Sequence, residues 1–202
     1  MTPDNVVRYE DELYMSAFTE YNAVGKVGVD KIGIMLKFID QFKDEVEIKV
    51  IGNVLQFVGK DANSDTKPIR EIPLIDKAFI KLSELPEMQH EESFTISANV
   101  LTSFIKEVSE VQKDVIIDIE TKENKLILSN KGTIKCLDEI PIEGLKGGSK
   151  VRFGSPFVDA VDSLDSDLVI DIKTDYPIKI VEKTEHSNVL MLVAPRIEDD
   201  DE

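Results

Sequence analysis

The last fifth of this 202-residue chain constrains its fold more than any other stretch. It contains three short runs rich in valine, isoleucine and leucine, at residues 168–172, 178–181 and 189–193, separated by the polar segments TDYP and EKTEHSN. Short β-branched runs bounded by turn residues are typical of consecutive strands. The sequence therefore predicts an antiparallel meander at this end of the chain.

A proline follows the meander. Pro195 has no N–H to donate to a sheet ladder, so we expect the chain to leave the sheet there as an extended, partly apolar tail. The tail reads Ala194-Pro195-Arg196-Ile197 and ends in a run of acidic residues.

Three stretches, within residues 25–44, 94–112 and 155–164, show the apolar spacing of amphipathic helices. The predicted N-caps are Asp30, Ser97 and Ser155. The side chains predicted to face inward are Ile32, Met35, Leu36, Ile39 and Phe42 in the first stretch, Val100, Leu101, Phe104, Ile105, Val108 and Val111 in the second, and Phe157, Val161 and Leu164 in the third. The third helix carries Asp159 and Asp162 on its outward side.

The remaining strands are predicted from short alternating or apolar runs. They span residues 6–15, 46–51, 54–59, 67–75, 94–96, 115–119, 125–128, 133–137 and 151–153. This order gives two copies of a strand-helix-strands unit in residues 94–198 and about one and a half in residues 1–75. The predicted fold is therefore α+β, with antiparallel sheets and helices on one face of each sheet.

Residues 76–93 lose the alternation of the strands and gain Pro86, as expected of a linker between domains. The predicted division is an N-terminal domain at 1–75, a connecting loop at 76–93, a C-terminal domain at 94–198 and an acidic tail at 199–202.

Catalytic and metal-binding signatures are missing from the sequence. Cys136, the single cysteine, is predicted to be a small buried hydrophobe. His90 and His186 lie in loop contexts with no second ligand at metal spacing, so both are predicted to be solvated. The many carboxylates are expected on solvated surfaces and in the tail rather than at a metal or acid/base site. We therefore predict a protein that is not an enzyme and binds no cofactor or metal.

The net charge of −16 opposes tight binding to nucleic acid through phosphate contacts, but less so for a protein that surrounds DNA loosely. No apolar run is long enough to span a bilayer, and the N-terminus is too acidic and polar for a signal peptide, so an intracellular location without membrane contact is expected.

Several ordered segments resemble the sliding clamps of archaea and eukaryotes, the proliferating cell nuclear antigen (PCNA) family. They are MTPDNVV near the start, PLIDKAFIKLSELP in the linker, and DYPIKI and LVAPRIE in the last fifth. The resemblance implies the sliding-clamp fold, with 76–93 as the interdomain connecting loop. It begins within the family's first domain, so this domain is expected to be shortened to about half to three-quarters of its usual length.

The function implied by the resemblance is that of a DNA polymerase processivity factor. Such a clamp encircles double-stranded DNA without reading its sequence, as a homotrimeric ring closed by edge strands, here at 67–75 and 133–140. It recruits DNA polymerase, clamp loader, flap endonuclease and ligase through PIP-box peptides, which carry a glutamine, an aliphatic residue and paired aromatics. Its location would be the cytoplasm or nucleoid of an archaeal or virus-infected cell, or a eukaryotic nucleus.

Two sets of site residues follow from the resemblance. The partner-peptide pocket is expected to contain Met1, Val6, Leu82, Leu85, Pro177, Leu192, Ala194, Pro195 and Ile197. The DNA-facing residues are expected to be Lys37, Lys106 and Lys113. The alternative interpretations are that Leu192 and Ile197 merely finish a core edge and that the lysines only aid solubility.

Two other functional classes remain open from the residues. One is a clamp-like regulator or scaffold, encoded by a virus or mobile element, that binds client peptides or another clamp without encircling DNA itself. The other is an enzyme on a β-rich fold, which would need a pocket that gathers two shielded titratable groups.

Overall fold

The protein was analysed as a computed structural model, which describes residues 7–22, 27–29, 31–76, 87–162 and 164–196. The strands are β1 (Val7–Leu13), β2 (Phe42–Ile51), β3 (Val54–Asp61), β4 (Ile69–Pro73), β5 (Glu92–Ser97), β6 (Ile117–Lys122), β7 (Lys125–Asn130), β8 (Leu137–Pro141), β9 (Lys150–Phe153), β10 (Asp167–Ile172), β11 (Ile178–Lys183) and β12 (Ser187–Val193). The α-helices are α1 (Ile32–Ile39), α2 (Ala98–Val111) and α3 (Ser155–Val161), and a 3-10 helix spans Met15–Ala17.

The chain divides into two compact units. The larger unit comprises Met1–Glu20 and Met88–Glu202, and the smaller unit comprises Tyr21–Glu87. Within the described residues, the larger unit holds a five-stranded sheet in the order β1-β12-β11-β10-β5 and a four-stranded sheet in the order β8-β7-β6-β9. Its buried apolar side chains form one continuous cluster with members from both sheets, α2 and α3.

The predicted meander is confirmed. β10, β11 and β12 are consecutive antiparallel strands, and the buried positions alternate along each of them. The alternation places Val189, Met191 and Val193 of β12 in the core. The strand pattern therefore located both the elements and their buried face.

The N-terminal strand pairs across the whole length of the chain. β1 runs antiparallel to β12, from Val7 opposite Val193 to Leu13 opposite Ser187. The sequence-based division placed residues 1–75 in one domain, whereas this pairing groups the first strand with the C-terminal meander. The alternation of a strand gives its face but not its neighbour, so the partner of β1 was not predictable from its own residues.

The smaller unit is a three-stranded sheet, β2-β3-β4, with α1 packed against it. Its buried apolar side chains among the described residues are Leu55, Phe57 and Ile72. Met35, Phe38 and Ile39 of α1 pack on this core, whereas Leu36 is 53% exposed. The prediction of Leu36 as an inward residue was therefore wrong, and Phe42 opens β2 because α1 ends at Ile39.

The other two helices follow the predicted pattern with small shifts. In α2, Leu101, Phe104, Ile105 and Val108 are buried, but Val111 is 36% exposed because it is the last helical residue. Phe157, Val161 and Leu164 are buried at and just after α3 as predicted. The N-cap of α3 is Gly154 instead of Ser155, while Asp30 lies outside the described residues.

The strand predicted at 133–137 begins only at Leu137, as β8. Before Leu137, the side chain of Asn130 makes hydrogen bonds to the backbone of this segment. Its Nδ2 donates to the Ile134 carbonyl at 2.8 Å, and its Oδ1 accepts from the Cys136 N–H at 2.8 Å. Cys136 itself is buried, as predicted.

Among the described residues, no helix has the length and apolar character required to cross a bilayer.

Candidate partner-binding site

The C-terminal tail passes from one sheet of the larger unit to the other. The ladder of β11 and β12 ends at the pair Ile178 and Val193, so Pro177 and Ala194 occupy the next positions outward. After Pro195, the N–H of Arg196 donates to the carbonyl of Arg152 in β9 at 2.7 Å. The chain therefore leaves the five-stranded sheet at Pro195, as predicted. The tail is then hydrogen-bonded to β9, the edge strand of the four-stranded sheet.

Four of the predicted pocket residues lie in the described part of the chain: Pro177, Leu192, Ala194 and Pro195. All four are half-buried. Leu192 lies between the buried residues Met191 and Val193, so its side chain lies on the face of the sheet away from the core. The structure thus gathers these apolar residues at one end of β11 and β12.

The other pocket residues predicted from the resemblance lie outside the described residues. They are Met1, Val6, Leu82, Leu85 and Ile197.

The end of the predicted connecting loop also contacts this region. His90 Nε2 lies 3.0 Å from the carbonyl oxygen of Pro177, and the His90 ring meets the Tyr176 ring edge-on, with centroids 5.7 Å apart. His90 was predicted to be solvated, but it is half-buried. No local signal could have identified it, because its partners are 86 and 87 residues away along the chain.

A polar row crosses the sheet beside the apolar residues. Ser93, Asp171, Lys179 and Leu192 are successive cross-strand neighbours on β5, β10, β11 and β12. Lys179 Nζ lies 3.0 Å from Asp171 Oδ2. Burial tends to raise the pKa of Asp171, but hydrogen bonds from Ser93 and Lys179, together with the charges of Lys179 and His90, hold this pKa below its ordinary value. The carboxylate therefore stays charged and gives the apolar cluster a polar rim.

The predicted DNA-facing lysines are all exposed, but they differ in position. Lys37 lies on α1 and Lys106 on α2, whereas Lys113 lies beyond the end of α2. The exposed surface of α2 also carries Glu107 and Glu110, so its charge is mixed. Asp159 on α3 and Asp162, the C-cap of α3, are both exposed, as predicted.

The two predicted edge strands lie at sheet edges among the described strands. β4 pairs only with β3, and β8 pairs only with β7. Each carries a large exposed apolar side chain: Ile69 on β4 is 56% exposed, and Leu137 on β8 is 61% exposed.

Among the described residues, no group of three or more histidine, cysteine, aspartate or glutamate side chains could hold a metal ion.

The described residues combine strand-helix-strands units, antiparallel sheets backed by helices, and an apolar tail beside the last meander. Solved structures that resemble this chain include PCNA clamps, so the chain has the sliding-clamp fold that its sequence predicted. No protein-family model matches the chain, and no curated protein matches it.

Three structures illustrate the likeness. PCNA of A. fulgidus, solved with the C-terminal region of FEN-1 bound, has a TM-score of 0.80 at 20% identity and covers 98% of this chain and 84% of its own. PCNA of Thermococcus kodakaraensis has a TM-score of 0.76 at 19% identity, with 96% and 83% covered. The PCNA2-PCNA3 complex of Sulfolobus tokodaii gives 0.77 at 18% identity, with 97% and 84% covered.

Proposed function

We propose that this chain is a DNA sliding clamp, a processivity factor that encircles double-stranded DNA and recruits replication and repair enzymes. The observation that carries the proposal is the tail: after Pro195 it is held to β9 beside Pro177, with Leu192 and Ala194 half-buried next to it. An exposed apolar cluster with a polar rim is the usual form of a partner site.

The partners of this site are short peptides that carry a glutamine, an aliphatic residue and paired aromatics. A helical turn followed by an extended strand places such anchors in an apolar pocket. The A. fulgidus PCNA structure, solved with the C-terminal region of FEN-1 bound, supports the binding of a peptide segment of a partner. In our proposal the connecting loop at 76–93 supplies Leu82 and Leu85, the N-terminal loop supplies Met1 and Val6, and the tail supplies Ile197.

Ring formation would use the open strand edges. β4 and β8 each expose a row of backbone hydrogen-bonding groups and one large apolar side chain, which favours pairing with another copy of the chain. The proposed product is a trimer. Lys37, Lys106 and Lys113 would then contact phosphates without reading bases, as expected of a protein that slides along DNA.

Loading onto nicked circular DNA tests the proposal directly. The protein, a PCNA-type clamp loader with ATP and a PCNA-dependent polymerase are combined on primed circular template, and product length is compared with and without the protein. Longer products on circular DNA are expected, and they should shorten when the template is linearised because a ring slides off free ends. Product lengths that do not change on addition of the protein would contradict the proposal.

The acidic surface of α3 favours a second candidate. Asp159 and Asp162 are exposed on a helix that would face DNA in a ring, and like charges repel phosphates. The alternative is a clamp-like regulator that binds client peptides or joins another clamp without encircling DNA. Size-exclusion chromatography with multi-angle light scattering separates the two: a monomer that still binds peptide favours the regulator, and a trimer favours the clamp.

A further inference from the structure

The exit of the connecting loop is held to the turn between β10 and β11 by several contacts. The N–H of Glu91 donates to the carbonyl of Ile172 at 3.1 Å, and Lys173 Nζ lies 3.7 Å from Glu91 Oε1. Lys173 Nζ also lies 5.5 Å above the ring of Tyr176. These are exposed or backbone contacts, and each alone contributes little to order.

His90 is half-buried, and its hydrogen bond has a defined donor and acceptor. The Pro177 carbonyl can only accept a hydrogen bond, so the Nε2 that lies 3.0 Å from it must carry the proton. Pro177 precedes the first ladder pair of β11, at Ile178, so its carbonyl receives this bond from a side chain outside the sheet. The edge-on contact with Tyr176 fixes the plane of the imidazole ring.

We propose that His90 is a positioning residue for the peptide pocket. It ties the described end of the connecting loop, which precedes β5, to Pro177, one of the predicted pocket residues, and so fixes the position of Pro177 in the pocket. The inference rests on the proposed function, because it assigns His90 a role in peptide binding that the resemblance did not. A preorganised wall lowers the ordering cost of binding, so loss of the bond should weaken affinity without removing a contact to the peptide.

Two substitutions separate the functions of the His90 side chain. His90→Phe keeps a ring against Tyr176 but removes the donor, whereas His90→Gln keeps a donor near the position of Nε2 but removes the ring. Affinity is measured by fluorescence anisotropy with a labelled synthetic peptide that carries a glutamine, an aliphatic residue and two adjacent aromatics. His90→Phe and His90→Ala should weaken binding by about five- to tenfold, and His90→Gln should stay within about twofold of the wild type.

His186→Ala is the matched control, because His186 is the other histidine and is exposed. Its affinity should equal that of the wild type. Equal thermal melting curves for all variants would show that the fold is intact. If His90→Phe binds the peptide with wild-type affinity, or if His90→Gln binds it as weakly as His90→Ala, the hydrogen bond is not the cause of the weakened binding.

Hydrogen exchange at the Glu91 amide tests positioning independently of the peptide. The bond from this amide to Ile172 should open more often in His90→Phe and His90→Ala, so exchange should be faster than in the wild type and in His90→Gln. Weakened peptide binding with unchanged Glu91 exchange would overturn positioning in favour of direct contact. If the wild type binds no peptide, the proposed function fails, and Glu91 exchange alone decides whether His90 holds the loop.

Discussion

Arg152 donates two parallel hydrogen bonds to Asp118, from Nε to Oδ1 at 2.6 Å and from Nη2 to Oδ2 at 2.7 Å. The Asp118 side chain is 9% exposed and the Arg152 side chain is 24% exposed. The same Arg152 offers its carbonyl to the N–H of Arg196. The ion pair therefore fixes the strand on which the tail is anchored.

Arg152→Met should destabilise the larger unit by about 2 kcal/mol, because it leaves a nearly buried carboxylate without its cation. The value is below that for fully buried pairs, since Arg152 is partly solvated. Urea unfolding measures the change. Lys125→Met is the control: Lys125 and its partner Glu139 are 39% and 52% exposed, so its unfolding midpoint should hardly move. Equal midpoints for both variants would contradict a stabilising role for the Arg152 pair.

Gly147→Ala should destabilise the protein more than Gly144→Ala. The two glycines have nearly the same left-handed backbone, with φ of +86° and +87°, so both substitutions cost about 1 kcal/mol for conformation. A Cβ on Gly147 would also lie 2.8 Å from the Lys122 Cα, whereas one on Gly144 meets nothing within 4 Å. The difference between their urea midpoints isolates this close approach, and equal midpoints would show that the loop can move away.

Glu92 should make stability depend on pH on the acid side. Burial tends to raise the pKa of Glu92, but the Thr121 hydroxyl, the N–H groups of Gly147 and Lys146 and the Lys146 charge together hold it below its ordinary value of 4.5. A lowered pKa stabilises the folded state above the unfolded value, and this stability is lost as pH falls through the folded value.

The measurement for Glu92 is the urea midpoint at pH values from 7 down to about 3. Glu92→Gln should lower the midpoint at neutral pH and reduce its fall below pH 4.5 relative to the wild type. Glu91→Gln is the control, because Glu91 is exposed and makes only a loose pair with Lys173 at 3.7 Å. A Glu92→Gln curve parallel to the wild type would show that Glu92 does not carry this pH dependence.

The smaller unit should open before the larger one. Its described core has three buried apolar side chains, whereas the core of the larger unit joins two sheets and two helices. Native-state hydrogen exchange should therefore show weaker protection in β3 than in β7. The Phe57 ring meets the Phe38 ring edge-on, with centroids 6.1 Å apart. Phe57→Ala removes this contact, so it should abolish protection in β3 and leave protection in β7 nearly unchanged. A loss of protection in both strands would mean that the units unfold together.

Leu137→Lys should convert a trimer into monomers if β8 closes the ring. Leu137 is 61% exposed, so the substitution leaves the core intact and places a charge on the open edge. Multi-angle light scattering reports the mass. Val169→Lys is the control, because Val169 is 39% exposed but lies on β10, which has neighbours on both sides. A trimer that survives Leu137→Lys would place the interface elsewhere.

Much of the fold was accessible from local patterns. The meander and the inward faces of α2 and α3 follow from apolar periods that repeat within a few residues, and the clamp fold followed from the resemblance of ordered segments. The errors at Val111 and residues 133–137 fall at element ends, where an interaction such as that of the Asn130 side chain overrides the period. Leu36 lies inside α1, on a face that the core of the smaller unit leaves exposed. The predicted pocket residues Pro177, Leu192, Ala194 and Pro195 lie together at one end of β11 and β12, whereas the contact of His90 with Pro177 was not predicted.

By itself the sequence determined which segments are strands and helices, which of their faces are apolar, and where a proline must release the chain from the sheet. Those properties depend on the chemistry of neighbouring residues and on the fixed periods of helix and strand. Only the tertiary structure decided that β1 joins β12, that Arg152 receives the tail, and that His90 reaches Pro177. Such pairings depend on which surfaces and hydrogen-bonding groups meet after the chain has folded, and no residue encodes its distant partner alone.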